Sequence, residues 1–303
     1  MAHSHSHNHH DHGQPSYNRA FIIGIALNAG FVVTEATFGV LAHSLALLAD
    51  AGHNLGDVLG LVLAWSASWL VRMRPTQRYT YGLRRSSILA ALLNAMILLV
   101  AIGGIAIEAI QRFRDPVPVS GGIVIGVALV GIVINGMTAL LFMSGRKHDL
   151  NLRGAFLHMV SDAVVSLGVV LAGIAILTTG WLWFDPVISL VIVAVIFVGT
   201  WNLLRDSTNL ALDAVPQGVE PLAIRTYLAE TPGVAAIHDL HIWAMSTTET
   251  ALTAHLVMPC GCPDDAFLAR IGRELHDRFD IEHTTIQIET GDSLSCAQKS
   301  CCG

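Results

Sequence analysis

Long apolar stretches recur along the chain, separated only by short polar connections. Six of them run over roughly 19–41, 45–71, 84–111, 119–144, 153–179 and 185–204. A helix needs about 20 mostly apolar residues to cross a bilayer, so each is long enough to span one. Beyond residue 205 the pattern changes. PLAIRTYLAETPG reads as an amphipathic helix closed by Pro232-Gly233, and VAAIHDLHIWAMS and ETALTAHLVMP read as strands. DDAFLARIGRELHDRF is a second helix, with Phe267, Ile271, Leu275 and Phe279 near helical spacing, and HTTIQIET is a third strand. Helix-strand-strand-helix-strand is the order of a small α+β domain with helices on one side of its sheet. The expected organisation is a polar tail over 1–18, a six-helix membrane domain over 19–205, an α+β domain over 206–291 and a disordered end over 292–303.

Composition supports the membrane reading. Of 303 residues, 53% are hydrophobic and only 13% charged, where soluble domains carry about 25% charged. The net charge of -6 argues against a nucleic-acid partner. Basic residues set the orientation. Arg72, Arg74, Arg78, Arg84 and Arg85 lie between spans two and three, and Arg146, Lys147 and Arg153 between four and five. The opposite side holds only Arg112 and Arg114, which places both termini in the cytoplasm. No secretory leader pattern opens the chain, and the late cysteines, Cys260, Cys262, Cys296, Cys301 and Cys302, read as reduced thiols or soft metal ligands.

Two of the spans carry chemistry. His53 and Asp57 sit in LLADAGHNLGDVLGLVLAW, and His158 and Asp162 in AFLHMVSDAVVSLGVVLAG. Residues four apart share a helix face, so each span offers an imidazole beside a carboxylate. Ionisable groups at membrane depth are costly and usually functional. Two facing helices would supply two nitrogens and two oxygens, a complete tetrahedral shell for Zn²⁺. Imidazole with carboxylate suits Zn²⁺ and its neighbours, and no thiolate stands in the spans. A ligating imidazole must be deprotonated, so metal and protons compete for one site. That competition predicts proton-coupled export by alternating access. Asp50, one turn before His53, and Glu35 are exit-path or proton-carrying candidates. A membrane protease would need His-Glu-x-x-His, which is absent. A zinc sensor and a passive divalent-cation channel remain as alternatives.

These segments resemble the cation diffusion facilitator family in its bacterial zinc-exporting branch. The resemblance rests on HSLALLADAGHNLGDVLGL, YTYGLRRSSILAALLNA, LRGAFLHMVSDAVVSLGVV, FDPVISL, HDLHIWAMS, ALTAHLV and HTTIQIE, and covers about Arg19 to Glu289. It implies a transporter rather than an enzyme, placed in a bacterial inner membrane as a homodimer of six-helix protomers. It implies a Zn²⁺ transport site at His53, Asp57, His158 and Asp162, with Cd²⁺ and other divalent transition metals as further substrates. A ferredoxin-like cytoplasmic domain that dimerises and binds regulatory zinc is also implied, with His241, His255, His283 and Glu289 as candidate ligands and His238 as a further one. The chain departs from the family pattern at YGLRRSS, where Arg84 and Ser87 stand in place of ligand types. At the amino terminus, His3, His5, His7, His9, His10 and His12 form a loose metal-capturing tract.

Overall fold

The computed structural model describes residues 16–71, 73–143, 150–259 and 264–290. The amino-terminal His tract, all five cysteines, Arg72, Arg146 and Lys147 lie outside these residues. Six long helices come first: α1 (Ser16–Leu41), α2 (Leu45–Val71), α3 (Ser86–Arg112), α4 (Gly121–Met143), α5 (Leu150–Thr179) and α6 (Phe184–Ala211). Among the described residues, the stretches Ser86–Arg112, Gly121–Leu140, Phe156–Thr179 and Phe184–Ala211 are long and apolar enough to cross a membrane, and Ala26–Leu41 is a shorter apolar helix. The expected spans match these helices closely, except that α6 continues past 204 to Ala211. It stops where Asp213 takes a left-handed φ of 60°.

The chain divides into two compact units, Met1–Leu59 with Leu98–Gly199, and Gly60–Ile97 with Thr200–Gly303. Phe31, Ala46, Ile102, Val124, Ala128, Val169 and Ile196 fill the core of the first. There α4 runs along α5 at very close range. A Cβ built on Gly121 would stand 3.0 Å from the Gly173 carbonyl oxygen, and one on Gly173 would stand 3.2 Å from that of Gly121. Small residues let membrane helices approach this closely.

The start of α2 is held by the start of α6. Asp185 is buried and accepts hydrogen bonds from Ser44 Oγ (2.5 Å), the Leu45 amide (2.8 Å) and the Ala46 amide (3.3 Å). A helix has unpaired amides in its first turn, and a carboxylate there satisfies them and favours the local dipole. Arg112 Nη1 stands 3.6 Å from the same carboxylate and also donates to the His43 carbonyl.

In the second unit, α7 (Pro221–Ala229), β1 (Ala236–Ala244), β2 (Thr250–Val257), α8 (Asp265–Phe279) and β3 (His283–Glu289) form the predicted α+β domain. Sheet order is β1-β2-β3, with β1 antiparallel and β3 parallel to β2. A parallel pair needs a crossover, and α8 supplies it. Its amino terminus is capped by Asp264, which accepts from the Phe267 amide at 2.9 Å. One sheet face carries Ile242, Leu252, Leu256, Ile286 and Ile288 against Ile224, Leu228, Ile271 and Leu275 of the helices. Tyr227 donates to Glu274 at 2.9 Å, and burial together with that carboxylate pushes its phenol up to about 12.

The α2–α3 connection belongs to this same unit. Arg84 pairs with Glu249 at 2.7 Å, and Arg85 pairs with Asp213. Ser87 Oγ accepts from the Thr247 amide at 3.1 Å, and Tyr81 sits edge-on to His283 at 5.5 Å. Arg84 and Ser87 of YGLRRSS thus hold the connection to the sheet domain.

Candidate metal centre

Helices α2 and α5 bring the four predicted ligands of the first unit together. His53 Nε2 lies 3.3 Å from Asp162 Oδ1, and His158 Nε2 lies 3.2 Å from Asp57 Oδ2. Within each helix the pairs are wider, 3.9 Å for His53 Nδ1 to Asp57 Oδ2 and 3.7 Å for His158 Nε2 to Asp162 Oδ2. Each helix's imidazole therefore sits nearer the other helix's carboxylate. Donor atoms about 2.0–2.1 Å from a tetrahedral ion stand about 3.3 Å apart; the two cross-helix separations match such an edge, while the contact of His53 with Asp57 uses its other ring nitrogen. His53, Asp57 and Asp162 each offer a donor atom within 4.8 Å of the others, and His158 stands outside that trio, beside Asp57. Asp57 Oδ2 and Asp162 Oδ1 are shielded from solvent, yet neither receives a well-aligned hydrogen bond.

Exposure falls steadily along the site. The side chains of His158 and Asp57 are 39% and 33% exposed, His53 is 23% and Asp162 is 1%. Asp50 and Glu35, further towards the start of α2, are fully buried. Since α2 and α5 run in opposite directions here, exposure rises from Asp162 and His53 towards Asp57 and His158 on both helices.

Glu35 and Asp50 form a second cluster of acids. Asn54 Nδ2 donates to Glu35 Oε2 at 3.1 Å, and Ser166 Oγ donates to Asp50 Oδ2 at 3.0 Å. The two carboxyl groups lie within hydrogen-bonding reach of each other. The sequence singles out both acids, but it gives no sign that they meet or that Asn54 and Ser166 hold them.

On the open face of the sheet, His238, His255 and Glu289 converge. His238 Nε2 is 3.0 Å from Glu289 Oε2, and His255 Nδ1 is 2.9 Å from Glu289 Oε1. His241 and His283 stand apart from this trio. His241 is bonded to Asp239 at 3.0 Å, and His283 lies against Tyr81. A bulge lies between His238 and His241. It pairs His238 with His255 and His241 with Thr253, so both histidines share one sheet face despite their odd spacing. Asp239 occupies the bulge at a left-handed φ of 52°. Its carboxylate reaches back to His255 Nε2 at 3.5 Å. Sequence reasoning missed Asp239, because regular alternation turns that side chain to the other face.

The cation efflux transmembrane domain family matches residues 21–210, and the cation efflux protein, cytoplasmic domain family matches residues 216–291. Among curated relatives, the metal cation efflux system protein CzcD of Cupriavidus metallidurans is 36% identical over 280 residues, covering 92% of this chain and 89% of that protein. The zinc transporter ZitB of Escherichia coli (strain K12) is 37% identical over 291 residues, covering 95% and 93%. The cadmium, cobalt and zinc/H(+)-K(+) antiporter of Bacillus subtilis is 34% identical over 284 residues, covering 92% and 91%.

Proposed function

This chain belongs to the cation efflux, or cation diffusion facilitator, family, and we propose that it is a proton-coupled Zn²⁺ antiporter whose transport site is His53, Asp57, His158 and Asp162. The observation that carries the reading is the convergence of two imidazoles and two carboxylates from α2 and α5 at 3.2 to 3.9 Å. Desolvating two carboxylates in a membrane protein is expensive unless a cation offsets them. Zn²⁺ does so and suits this donor set better than Mg²⁺ or Ca²⁺. Protons that take the imidazoles expel the ion. Members of the family are transporters, and no enzymatic step is needed.

The graded exposure of the quartet fits a state open on the side of Asp57 and His158; in sequence, α2 runs from there towards the arginine-rich connection to α3. By the distribution of basic loop residues that side is the cytoplasm, which puts both termini inside a bacterial inner membrane. Release to the far side requires the buried end, near Asp50 and Glu35, to open in its turn. We further propose that the chain works as a homodimer through its cytoplasmic domain, and that His238, His255 and Glu289 bind regulatory Zn²⁺ there. His241, through Asp239, is a neighbour of that site rather than part of the trio. His283 lies outside the trio, against Tyr81.

Reconstitution separates this reading from its rivals. Vesicles holding the full chain should accumulate Zn²⁺ when an outward-directed proton gradient is imposed, and the protons should leave as zinc enters. Zinc flux indifferent to the gradient identifies a channel, and binding without flux identifies a sensor.

A further inference from the structure

The Glu35–Asp50 pair has a chemistry of its own, separate from the quartet. Both side chains are fully buried. Each carboxyl spends one oxygen on a neutral donor, Asn54 for Glu35 and Ser166 for Asp50. Among the described residues, the remaining oxygens, Glu35 Oε1 and Asp50 Oδ1, are sealed from solvent and receive no donor. Among the described residues neither acid makes an ion pair. The titratable groups that act on the two are His53 from α2 and Asp162 from α5. Two buried carboxyl groups this close, with Asp162 as a further acid acting on both, repel strongly if both are ionised. A proton between them turns the repulsion into a hydrogen bond and provides the donor that the two free oxygens lack.

We propose that Glu35 and Asp50 hold one proton between them, and that this proton is released when Zn²⁺ occupies the quartet. The inference rests on the quartet being the zinc site. Asp50 lies one helical turn from His53, and Ser166 lies one turn from Asp162, so the pair sits within the field of the ion. Interactions between charges are strong where water is excluded, and a dication one turn away favours the doubly ionised pair. When zinc leaves, two bare carboxylates draw a proton back. The pair therefore adds a proton to the exchange beyond those carried by the imidazoles. Its position beyond the buried end of the quartet assigns the far compartment as the source of that proton.

Glu35→Gln tests this directly. The glutamine amide can donate to Asp50 as the shared proton did, but it cannot dissociate. The full chain in detergent is titrated with Zn²⁺ in weak buffer, and the protons released per zinc bound are counted. The imidazole contribution is common to both proteins, so the difference isolates the pair. Glu35→Gln should release about one proton fewer and, because that release is coupled to binding, should bind zinc about tenfold or more weakly at the same pH. Equal proton counts would overturn the proposal. A parent protein that binds zinc and releases no protons overturns it together with the antiport reading. A second arm needs no variant. Infrared difference spectra of the parent protein should show the carbonyl stretch of a protonated carboxyl group, lost on zinc addition. Absence of that band, or its survival in Glu35→Gln, would also overturn the proposal.

Discussion

Asp185 illustrates how much one side chain can organise. It accepts from Ser44 Oγ and from two amides at the start of α2, the helix that carries His53 and Asp57. Removing a buried acceptor strands its donors, at a cost of about 1–3 kcal/mol for each group left unsatisfied. Asp185→Ala should therefore lower the thermal unfolding temperature in detergent and weaken zinc affinity, since α2 loses its anchor. Asp185→Asn, which keeps an acceptor oxygen, should retain most of both. Equal behaviour of the two variants would show that the cap contributes nothing. The FDP segment marked this residue as part of the family resemblance, but its role as a cross-helix cap was not legible. A cap is recognisable in sequence when it immediately precedes its helix, and Asp185 caps a helix 140 residues away. Asp239 was hidden for a related reason. Strand alternation turns its side chain to the opposite face, and only the bulge brings it to His255.

At the scale of elements, hydrophobic patterning specified the spans well because membrane helices have no alternative way to satisfy their backbone. The HxxxD spacing likewise placed each imidazole and carboxylate on one face. It could not reveal that His53 stands nearer Asp162 than Asp57, because the cross-pairing follows from how α2 and α5 meet. The α4–α5 contact depends on what is missing, a Cβ at Gly121 and Gly173. Gly173→Val would drive a side chain towards Ile125 and the Gly121 carbonyl. Overpacking of this kind costs about 1–3 kcal/mol. Because α5 bears His158 and Asp162, Gly173→Val should lower both the unfolding temperature and zinc affinity, whereas Gly122→Ala, with nothing within 4 Å of its Cβ, should change neither. Unfolding curves and zinc titrations on the two variants check this.

For the molecule as a whole, transport requires one ion site, a change of access and a coupling that forbids slippage. In the proposed account the quartet would serve the first, and its graded exposure would belong to one of the two states the second requires. Competition with protons on the imidazoles, and the proposed shared proton of Glu35 and Asp50, would serve the third. The cytoplasmic domain adds a separate set of donors on its open sheet face. Zinc binding there should be removable without abolishing transport: His238→Ala with Glu289→Gln should reduce the number of zinc ions bound by the full chain by at least one, while leaving proton-driven zinc flux measurable. Loss of all flux in that variant would make the sheet site part of the transport path.

Zinc flux through Asp162→Asn tests the central claim most directly. Asparagine keeps the shape of the side chain and removes the charge that the ion must neutralise at the most buried of the four ligands. Full-length parent and variant, reconstituted at equal density and given the same proton gradient, should differ completely, with zinc accumulating in vesicles of the parent and none moving in those of the variant. Zinc transport by Asp162→Asn at the parent's rate would contradict the account.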